Sequence, residues 1–221
     1  MSKKIFIFDY DGVIADSLDM CIDAFNVLKA KYGFSGELTK EAIAKLPHVT
    51  AEGAFGLLGV KAEDIHLYTG EIRERLRNTA EKAEIFEGIG DIFRLVKASG
   101  AYLAVNTSND SGTVKRRLKM SGLDELPDYI VGSDTPGTKS EKIKHIMEKF
   151  SGDAEETYMI GDSMGDITEG RKAGVHTIAV TYGWQPRAVL EDVNPEFICD
   201  TMDELKALVQ KKKPGINPSH K

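Results

Sequence analysis

The 221-residue chain is long enough to bury a complete hydrophobic core, either as one large domain or as a core with a small insertion. Its composition of 41% hydrophobic and 29% charged residues is typical of a soluble globular protein, and a net charge of -6 gives no general basic footprint for nucleic acid. No run approaches the roughly 18 apolar residues of a membrane helix, and Cys21 and Cys199 are too far apart in sequence for a disulfide framework or a zinc cluster. We therefore expect a cytoplasmic protein without a nucleic-acid or membrane partner, and no obligate protein partner is evident.

The first predicted element is a buried strand at residues 5–8, and acidic residues follow it at once. Its four apolar residues show no alternation, as is typical of a parallel strand covered on both faces. Because parallel sheets bind ligands beyond the carboxyl ends of their strands, we expect Asp9 and Asp11 at the rim of a site. Two carboxylates there can hold a divalent cation and divide nucleophilic and acid/base roles between them.

A long helical stretch follows, and the sequence shows no strand signal between residues 14 and 84. The first helix is expected to begin near Asp16 or Ser17, either of which can act as its N-cap. Three further helices are expected at 39–46, 50–58 and about 62–80. Crossover connections in α/β units are usually a single helix, so this stretch is too long to be one. We interpret residues 15–84 as an inserted, all-helical cap domain.

From Gly88 onward, predicted helices and strands alternate. Strands are expected at 101–106, 129–132, 157–160, 176–180 and, weakly, 196–199, and helices at 88–98, 111–120, 140–150, 166–173 and 203–210. Repeated strand and helix units predict a doubly wound, Rossmann-like α/β fold with a parallel sheet. This core would comprise residues 1–14 and 85–210, and residues 211–221 would form a basic C-terminal tail.

Later strands of this predicted core also lead to polar residues suited to phosphate or a metal. Thr107 and Ser108 follow the strand at 101–106, Lys139 lies beyond the strand at 129–132, and Asp162 and Asp166 follow the strand at 157–160. Because the carboxyl ends of parallel strands converge on one edge of a sheet, we expect these side chains to meet Asp9 there.

These residue types suit phosphoryl transfer. A phosphomonoester carries about two negative charges, which must be neutralised before a carboxylate can approach phosphorus. Mg²⁺ and Lys139 can supply the positive charge, and Asp9 and Asp162 are the first candidates for metal ligands because Mg²⁺ prefers hard oxygen atoms. The Thr107 hydroxyl and the backbone N–H groups at the turn into the next helix can bind phosphoryl oxygens.

Four parts of the sequence together resemble the four motifs of the haloacid dehalogenase superfamily, in matching order and spacing. They are Asp9-Tyr10-Asp11-Gly12-Val13, Thr107, Lys139 and Gly161-Asp162-Ser163-Met164-Gly165-Asp166. The resemblance extends from residue 3 to about residue 210. The helical insertion after the first motif is similar to that of the phosphoglycolate phosphatase and β-phosphoglucomutase subgroup. One departure is Ser140, which follows Lys139 where many relatives have proline.

The resemblance implies that Asp9 attacks phosphorus to give an aspartyl-phosphate intermediate, and that Asp11 protonates the leaving oxygen and then takes a proton from water. It implies a Mg²⁺ site formed by the Asp9 side chain, the Asp11 backbone carbonyl and Asp162, with Asp166 supporting the metal directly or through water. The implied phosphate-binding residues are Thr107, Ser108 and Lys139. An acid at the Asp11 position is present in the phosphatases and phosphomutases of the superfamily and absent from its dehalogenases, which favours phosphoryl chemistry.

The leading hypothesis is therefore a Mg²⁺-dependent phosphatase that hydrolyses a small phosphorylated metabolite. A sugar phosphomutase is the alternative with the same first step. A non-enzymatic, receiver-like phospho-accepting module is a remote alternative, because its acceptor aspartate would lie on a later strand. The substrate is left open among phosphoglycolate, sugar phosphates, nucleoside monophosphates and pyrophosphate.

The sequence at residues 132–140 differs only slightly from the pattern of a phosphate-binding P-loop. Thr138 displaces the lysine from its place after the second glycine, and Pro136 removes an N–H donor, which disfavours a nucleotide-binding kinase or ATPase.

The predicted cap holds other charged candidates. Arg73, Arg75 and Arg77 are interpreted as a solvated surface because Glu71 and Glu74 lie among them. Lys45 and His48, which flank Leu46-Pro47, are candidates for a cap loop that faces the site.

Overall fold

The structure, a computed structural model, describes residues 3–211 of the chain. Its strands are β1 (Ile5–Phe8), β2 (Ala15–Asp16), β3 (Glu84–Ile85), β4 (Tyr102–Asn106), β5 (Tyr129–Val131), β6 (Thr157–Gly161), β7 (His176–Val180) and β8 (Phe197–Cys199). Its α-helices are α1 (Leu18–Tyr32), α2 (Lys40–Ala44), α3 (Ala51–Leu57), α4 (Ile65–Thr79), α5 (Ile89–Ala98), α6 (Ser111–Met120), α7 (Lys139–Phe150), α8 (Met164–Ala173), α9 (Arg187–Glu191) and α10 (Met202–Gln210). Short 3-10 turns lie at Ala62–Asp64, Ala80–Lys82 and Ala154–Glu156.

A six-stranded parallel sheet forms the centre of the fold, in the order β5-β4-β1-β6-β7-β8. Strand β1 lies between β4 and β6, and its register places Phe8 level with Val105 and Ile160. These three strands therefore end at nearly the same height, and the residues that follow them share one edge of the sheet. The parallel sheet with its intervening helices confirms the predicted doubly wound α/β fold.

Strand β1 is buried on both of its faces. Phe6 and Phe8 join one apolar cluster, where the Phe8 ring meets Phe93 of α5 edge to face with ring centroids 5.3 Å apart. Ile5 and Ile7 point to the other face and pack in a second cluster with residues of α7. This two-sided burial explains why the strand shows an uninterrupted apolar run, as predicted for a parallel strand.

Helices α1 to α4 build an apolar core of their own. Phe25 of α1 and Phe55 of α3 pack edge to face at 5.0 Å, and Ile72 of α4 is completely buried in the same cluster. Trp184, from the loop after β7, packs against this cluster. Separate clusters on the sheet and among these helices suit the predicted helical insertion, and its boundaries at residues 15 and 84 stay a prediction.

The expectation of no strand between residues 14 and 84 was wrong. Strands β2 and β3 pair in antiparallel fashion, with Ala15 opposite Ile85 and Asp16 opposite Glu84. The ribbon joins the segments through which the chain enters and leaves the helical stretch. Two residues are too few to show an alternating pattern, and each strand forms only because the other lies beside it, so the sequence carries no local signal for either.

Smaller differences concern the ends of elements. Helix α2 ends at Ala44, two residues before its predicted end, and α9 was not predicted because its five residues are too few to show a helical period. The predicted basic tail at 211–221 lies outside the described residues except for Lys211.

Among the helices of the described chain, none combines the length and the apolar character needed to cross a membrane.

Candidate active site

Three acidic side chains meet at the carboxyl edge of the sheet. Asp9 directly follows β1, Asp162 directly follows β6, and Asp166 lies in the first turn of α8. One carboxylate oxygen from each lies within 4.8 Å of the other two. The register of the sheet therefore assembles, from distant parts of the sequence, the oxygen cluster that hard divalent cations prefer.

Lys139, the first residue of α7, is the cationic partner of this cluster. Its Nζ lies 2.5 Å from Asp166 Oδ1 and 3.1 Å from Asp9 Oδ2. Burial opposes the charge of the ammonium group, but Asp166 and Asp9 outweigh it and raise the Lys139 pKa above its ordinary value. The backbone carbonyl of Lys139 accepts a hydrogen bond from Asn106 Nδ2 at 3.0 Å, which anchors the start of α7 to the end of β4.

The charge of the cluster is out of balance without a further cation. Burial, followed by the charge of Asp166, raises the pKa of Asp9 from 3.8 to about 7, although Lys139 and the Tyr10 N–H pull it down. Burial and Asp166 also raise the pKa of Asp162 well above its ordinary value. Asp162 and Asp166 are buried and Asp9 is half-buried, so all three can be ionised beside one ammonium group only if a further cation is bound, and both the oxygen donors and this need for charge fit Mg²⁺.

Asp11 has different partners from Asp9. Its Oδ1 accepts a hydrogen bond from the Ser17 hydroxyl at 2.6 Å, and its Oδ2 accepts one from Asn109 Nδ2 at 3.3 Å. Burial raises the pKa of Asp11, and these two hydrogen bonds oppose the rise. Within the described chain, the Asp11 carboxylate is not part of the three-carboxylate cluster. The metal role that the resemblance implies for Asp11 concerns its backbone carbonyl, and that role stays a prediction.

Sequence reasoning missed the roles of Ser17 and Asn109. The cap of α1 was expected at Asp16 or Ser17. Ser17 occupies the N-cap position, but its side chain makes no capping hydrogen bond because the hydroxyl donates to Asp11. Asn109 closely follows the predicted phosphate residues at the end of β4. Neither partnership leaves a signal in the sequence, since both depend on how the loops after β1 and β4 pack.

The two predicted phosphate residues after β4 lie in different environments. Thr107 is only 2% exposed, and its Oγ1 accepts a hydrogen bond from the Asn109 N–H at 3.0 Å. That leaves the Thr107 hydroxyl proton able to donate to an anionic oxygen. Ser108 is exposed at the start of the same turn. The Lys139 ammonium completes the predicted phosphate set, and it lies against the acidic cluster.

Gly12 and Trp184 shape the wall beside Asp162. Gly12 has a φ of 78°, and a Cβ atom there would lie 1.9 Å from Asp162 Oδ2, so both the conformation and the space require glycine. Trp184 donates its backbone N–H to the same Oδ2 at 2.7 Å. The Trp184 backbone thereby fixes Asp162 while its ring packs against the helical cluster.

The structure places the charged candidates of the helical stretch in two different surroundings, one around Glu71 and Arg75 and the other around His48. Glu71 is held by Lys31 at 2.7 Å and by the Tyr32 hydroxyl at 2.5 Å, on a depression that Arg75 also lines. His48 lies beside the first turn of α8, since a Cβ atom at Gly165 would be 3.3 Å from its Nδ1. His48 thus lies beside the helix turn that carries Asp166, and its place in a cap loop that faces the site stays a prediction, as it does for Lys45.

The segment at 132–140, which is close to the P-loop pattern, caps the start of helix α7. Thr138 is the N-cap of α7 and forms a capping box with Glu141, whose Oε2 accepts from the Thr138 N–H at 2.7 Å. The end of this segment therefore caps the start of α7, whose first residue is Lys139, in place of forming a phosphate-binding loop.

The haloacid dehalogenase-like hydrolase family matches residues 6–180, a range that includes the acidic cluster, Thr107 and Lys139. The chain belongs to this family. Membership confirms the predicted resemblance and makes the protein a hydrolase.

The named relatives of this hydrolase include phosphatases. A pyrophosphatase, PpaX, from Bacillus mycoides is 25% identical over 215 residues, which are 96% of this chain and 99% of that protein. A phosphoglycolate phosphatase from Psychrobacter arcticus is 24% identical over 222 residues and 95% of each chain. A solved haloacid dehalogenase-like hydrolase from Streptococcus pneumoniae shares the fold with a TM-score of 0.82 and 23% identity, over 93% of this chain and 97% of that one.

Proposed function

We propose that this haloacid dehalogenase-like hydrolase is a Mg²⁺-dependent phosphatase that acts on a small phosphorylated metabolite through an aspartyl-phosphate at Asp9. The observation that carries the proposal is the convergence of Asp9, Asp162 and Asp166 with Lys139 at one sheet edge. The names of the two relatives support phosphate-ester or phosphoanhydride substrates. Because those relatives are similarly distant and act on different compounds, the class of substrate is proposed here and not a single molecule.

Asp9, Asp162 and the Asp11 carbonyl would hold Mg²⁺, with Asp166 supporting it directly or through water. When bound, the ion supplies positive charge to the phosphoryl oxygens and lowers the repulsion against an attacking carboxylate. Lys139 and the Thr107 hydroxyl would bind and orient the phosphoryl group, and Ser108 at the rim is proposed as a further donor. Asp9 would then attack phosphorus, and water would later cleave the aspartyl-phosphate.

Asp11 would carry the proton in both steps. Its buried position raises its pKa, which favours the protonated form that a general acid requires. The Ser17 hydroxyl and the Asn109 amide hold its two oxygens, so they define the orientation from which Asp11 moves its proton. After the leaving group departs, the ionised Asp11 can accept a proton from the attacking water.

We further propose that helices α1 to α4 form a cap that moves relative to the sheet, with the β2–β3 ribbon as its attachment. Closure would exclude water during transfer to Asp9, and opening would admit water for hydrolysis.

Since neither cysteine forms a disulfide, we propose the reducing cytoplasm as the compartment.

The test is a phosphate-release screen with Mg²⁺ over phosphoglycolate, hexose phosphates, nucleoside monophosphates and pyrophosphate. We expect release from at least one compound by the parent and none by Asp9→Asn, which removes the nucleophile. The exposed Asp203→Asn is the matched control and should retain full release. Equal release by Asp9→Asn and parent would refute the nucleophile, and conversion of a hexose phosphate without release would favour a phosphomutase.

A further inference from the structure

The loop after β7 lies directly against the carboxylate cluster. A Cβ atom at Gly183 would lie 2.4 Å from the Asp162 side chain and 2.4 Å from the carbonyl oxygen of Gly12. The next residue, Trp184, bonds to Asp162 through its N–H. The loop at 183–185 is therefore anchored, through Trp184, to the same carboxylate that is proposed to bind the metal.

Gln185, the third residue of this loop, is completely buried and hydrogen-bonds in two directions. Its Oε1 accepts from the Met164 N–H at 2.6 Å, and its Nε2 donates to the carbonyl oxygens of Ala44 at 3.1 Å and Leu46 at 2.8 Å. Met164 begins α8, and Ala44 ends α2. Helix ends leave such N–H and C=O groups without partners inside the helix, so one side chain satisfies groups at two helix ends.

These two helix ends belong to different parts of the molecule. Helix α8 packs on the sheet and carries Asp166, whereas α2 packs in the separate apolar cluster of α1 to α4. The bonds to Ala44 and Leu46 exist only while α2 lies against the core. A contact that exists in one arrangement and is lost in the other stabilises the first arrangement relative to the second by the free energy of that contact.

We infer that Gln185 is a positioning residue that latches the helical cap onto the core in the closed arrangement. A carboxamide suits this place because it offers an acceptor to the α8 N–H and donors to the two cap carbonyls. The segment that it holds leads directly to His48, which lies beside Gly165 in the first turn of α8. The latch thereby sets how closely this cap segment approaches the acidic cluster.

The role of the latch in turnover rests on the proposed phosphatase function, but its effect on the cap does not. Two hydrogen bonds between cap and core shift the balance between closed and open arrangements by about tenfold, given the usual net strength of such bonds. If the closed arrangement binds substrate and predominates in the parent, the same shift lowers the closed fraction only slightly, so KM and kcat should both stay within about twofold of the parent values.

The test compares Gln185→Glu and Gln185→Met with Gln210→Glu, which makes the same change at the chain's other glutamine, exposed at the end of α10. Glutamate keeps the acceptor for Met164 but presents an oxygen to both cap carbonyls, and methionine removes all three bonds without adding charge. Amide hydrogen exchange by mass spectrometry, in Mg²⁺ buffer, reports the cap segment at 42–49 separately from β1, β4 and β6. KM and kcat are measured with p-nitrophenyl phosphate.

We expect both Gln185 variants to speed exchange at 42–49 about tenfold, with the sheet unchanged and with Gln210→Glu identical to the parent. Unchanged exchange at 42–49 in both variants would overturn the latch. So would a uniform increase that includes the sheet, because it would show a general loss of stability. If exchange responds as expected but the parent releases phosphate from no compound, the latch stands and the proposed phosphatase function fails.

Discussion

Asp9 and Asp11 are two residues apart, yet their partners suit them to different tasks. Asp9 shares the Lys139 ammonium with Asp166 and belongs to the three-carboxylate cluster, where a bound cation would keep it ionised for attack. Asp11 is held by a hydroxyl and an amide, and burial raises its pKa although these two hydrogen bonds oppose the rise. In the proposed mechanism, the acid and the nucleophile are thus distinguished by their environments and not by residue type.

Asp11→Asn is expected to lower kcat for alkyl phosphates about 10² to 10⁴-fold, because the leaving alkoxide then departs without a proton. The loss for p-nitrophenyl phosphate should be much smaller in the phosphorylation step, since nitrophenolate leaves readily without protonation. Single-turnover kinetics with both substrates measure this difference. An equal loss for both would show that Asp11 serves orientation and not proton transfer.

Lys139→Met is expected to lower the free energy of unfolding by about 3 kcal/mol in EDTA at pH 8, because it leaves buried carboxylates without their cation. Urea denaturation measures the loss, and Mg²⁺ should restore part of it. Lys172→Met, which removes an exposed lysine near Glu169, is the control and should change stability by less than about 0.5 kcal/mol. A Lys139 effect no larger than that of Lys172 would contradict the proposed charge balance.

At the scale of elements, strands β1, β4 and β6 could be predicted because each is a short apolar run that ends in polar residues. Their common edge followed from the rule for parallel sheets, so Asp9, Asp162 and Asp166 could be brought together in advance, and the structure places them together. The β2–β3 ribbon and the contacts of Gln185 could not be predicted. They depend on which distant segment lies opposite, and two residues or one glutamine carry no periodic pattern.

Helix α8 joins secondary structure to the site through its capping box. Ser163 Oγ accepts from the Asp166 N–H at 3.3 Å and donates to Asp166 Oδ2 at 2.6 Å, which leaves Asp166 Oδ1 directed at Lys139. A residue that caps the helix therefore also orients an acid of the cluster.

Ser163→Ala and Thr201→Ala each remove an N-cap, at α8 and at α10, and each is expected to cost about 1 kcal/mol of stability. Only Ser163→Ala should also weaken Mg²⁺ binding, by about tenfold, because only Ser163 orients an acid of the cluster. Urea denaturation and isothermal titration with Mg²⁺ separate the two effects. Equal Mg²⁺ affinity in both variants would place Asp166 outside the metal shell.

For the molecule as a whole, we expect the cluster to make stability depend on pH and on the proposed metal together. Asp9 has a pKa of about 7 when folded and 3.8 ordinarily, so the folded state binds the extra proton between these values. Stability in EDTA should therefore fall as pH rises through that window. Metal binding needs the ionised carboxylate, so the stabilisation by Mg²⁺ should grow over the same range.

We expect saturating Mg²⁺, at about 100 times its Kd, to raise Tm by about 5 to 10 °C at pH 8 and by clearly less at pH 5.5. Thermal unfolding followed by circular dichroism, with and without EDTA, measures both shifts. Asp9→Asn should flatten the dependence on pH. Identical shifts at the two pH values in the parent would contradict a metal site that includes Asp9.

The central place of β1 has a consequence for how the protein is made. Asp9 leaves the ribosome well before Asp162 and Asp166, its partners after β6. Until β4 and β6 arrive, β1 is an apolar segment without hydrogen-bonded neighbours, and the cluster of acids does not exist. During synthesis the helical stretch is complete well before β6, so the acidic cluster forms late, when β4 and β6 pair with the earlier β1.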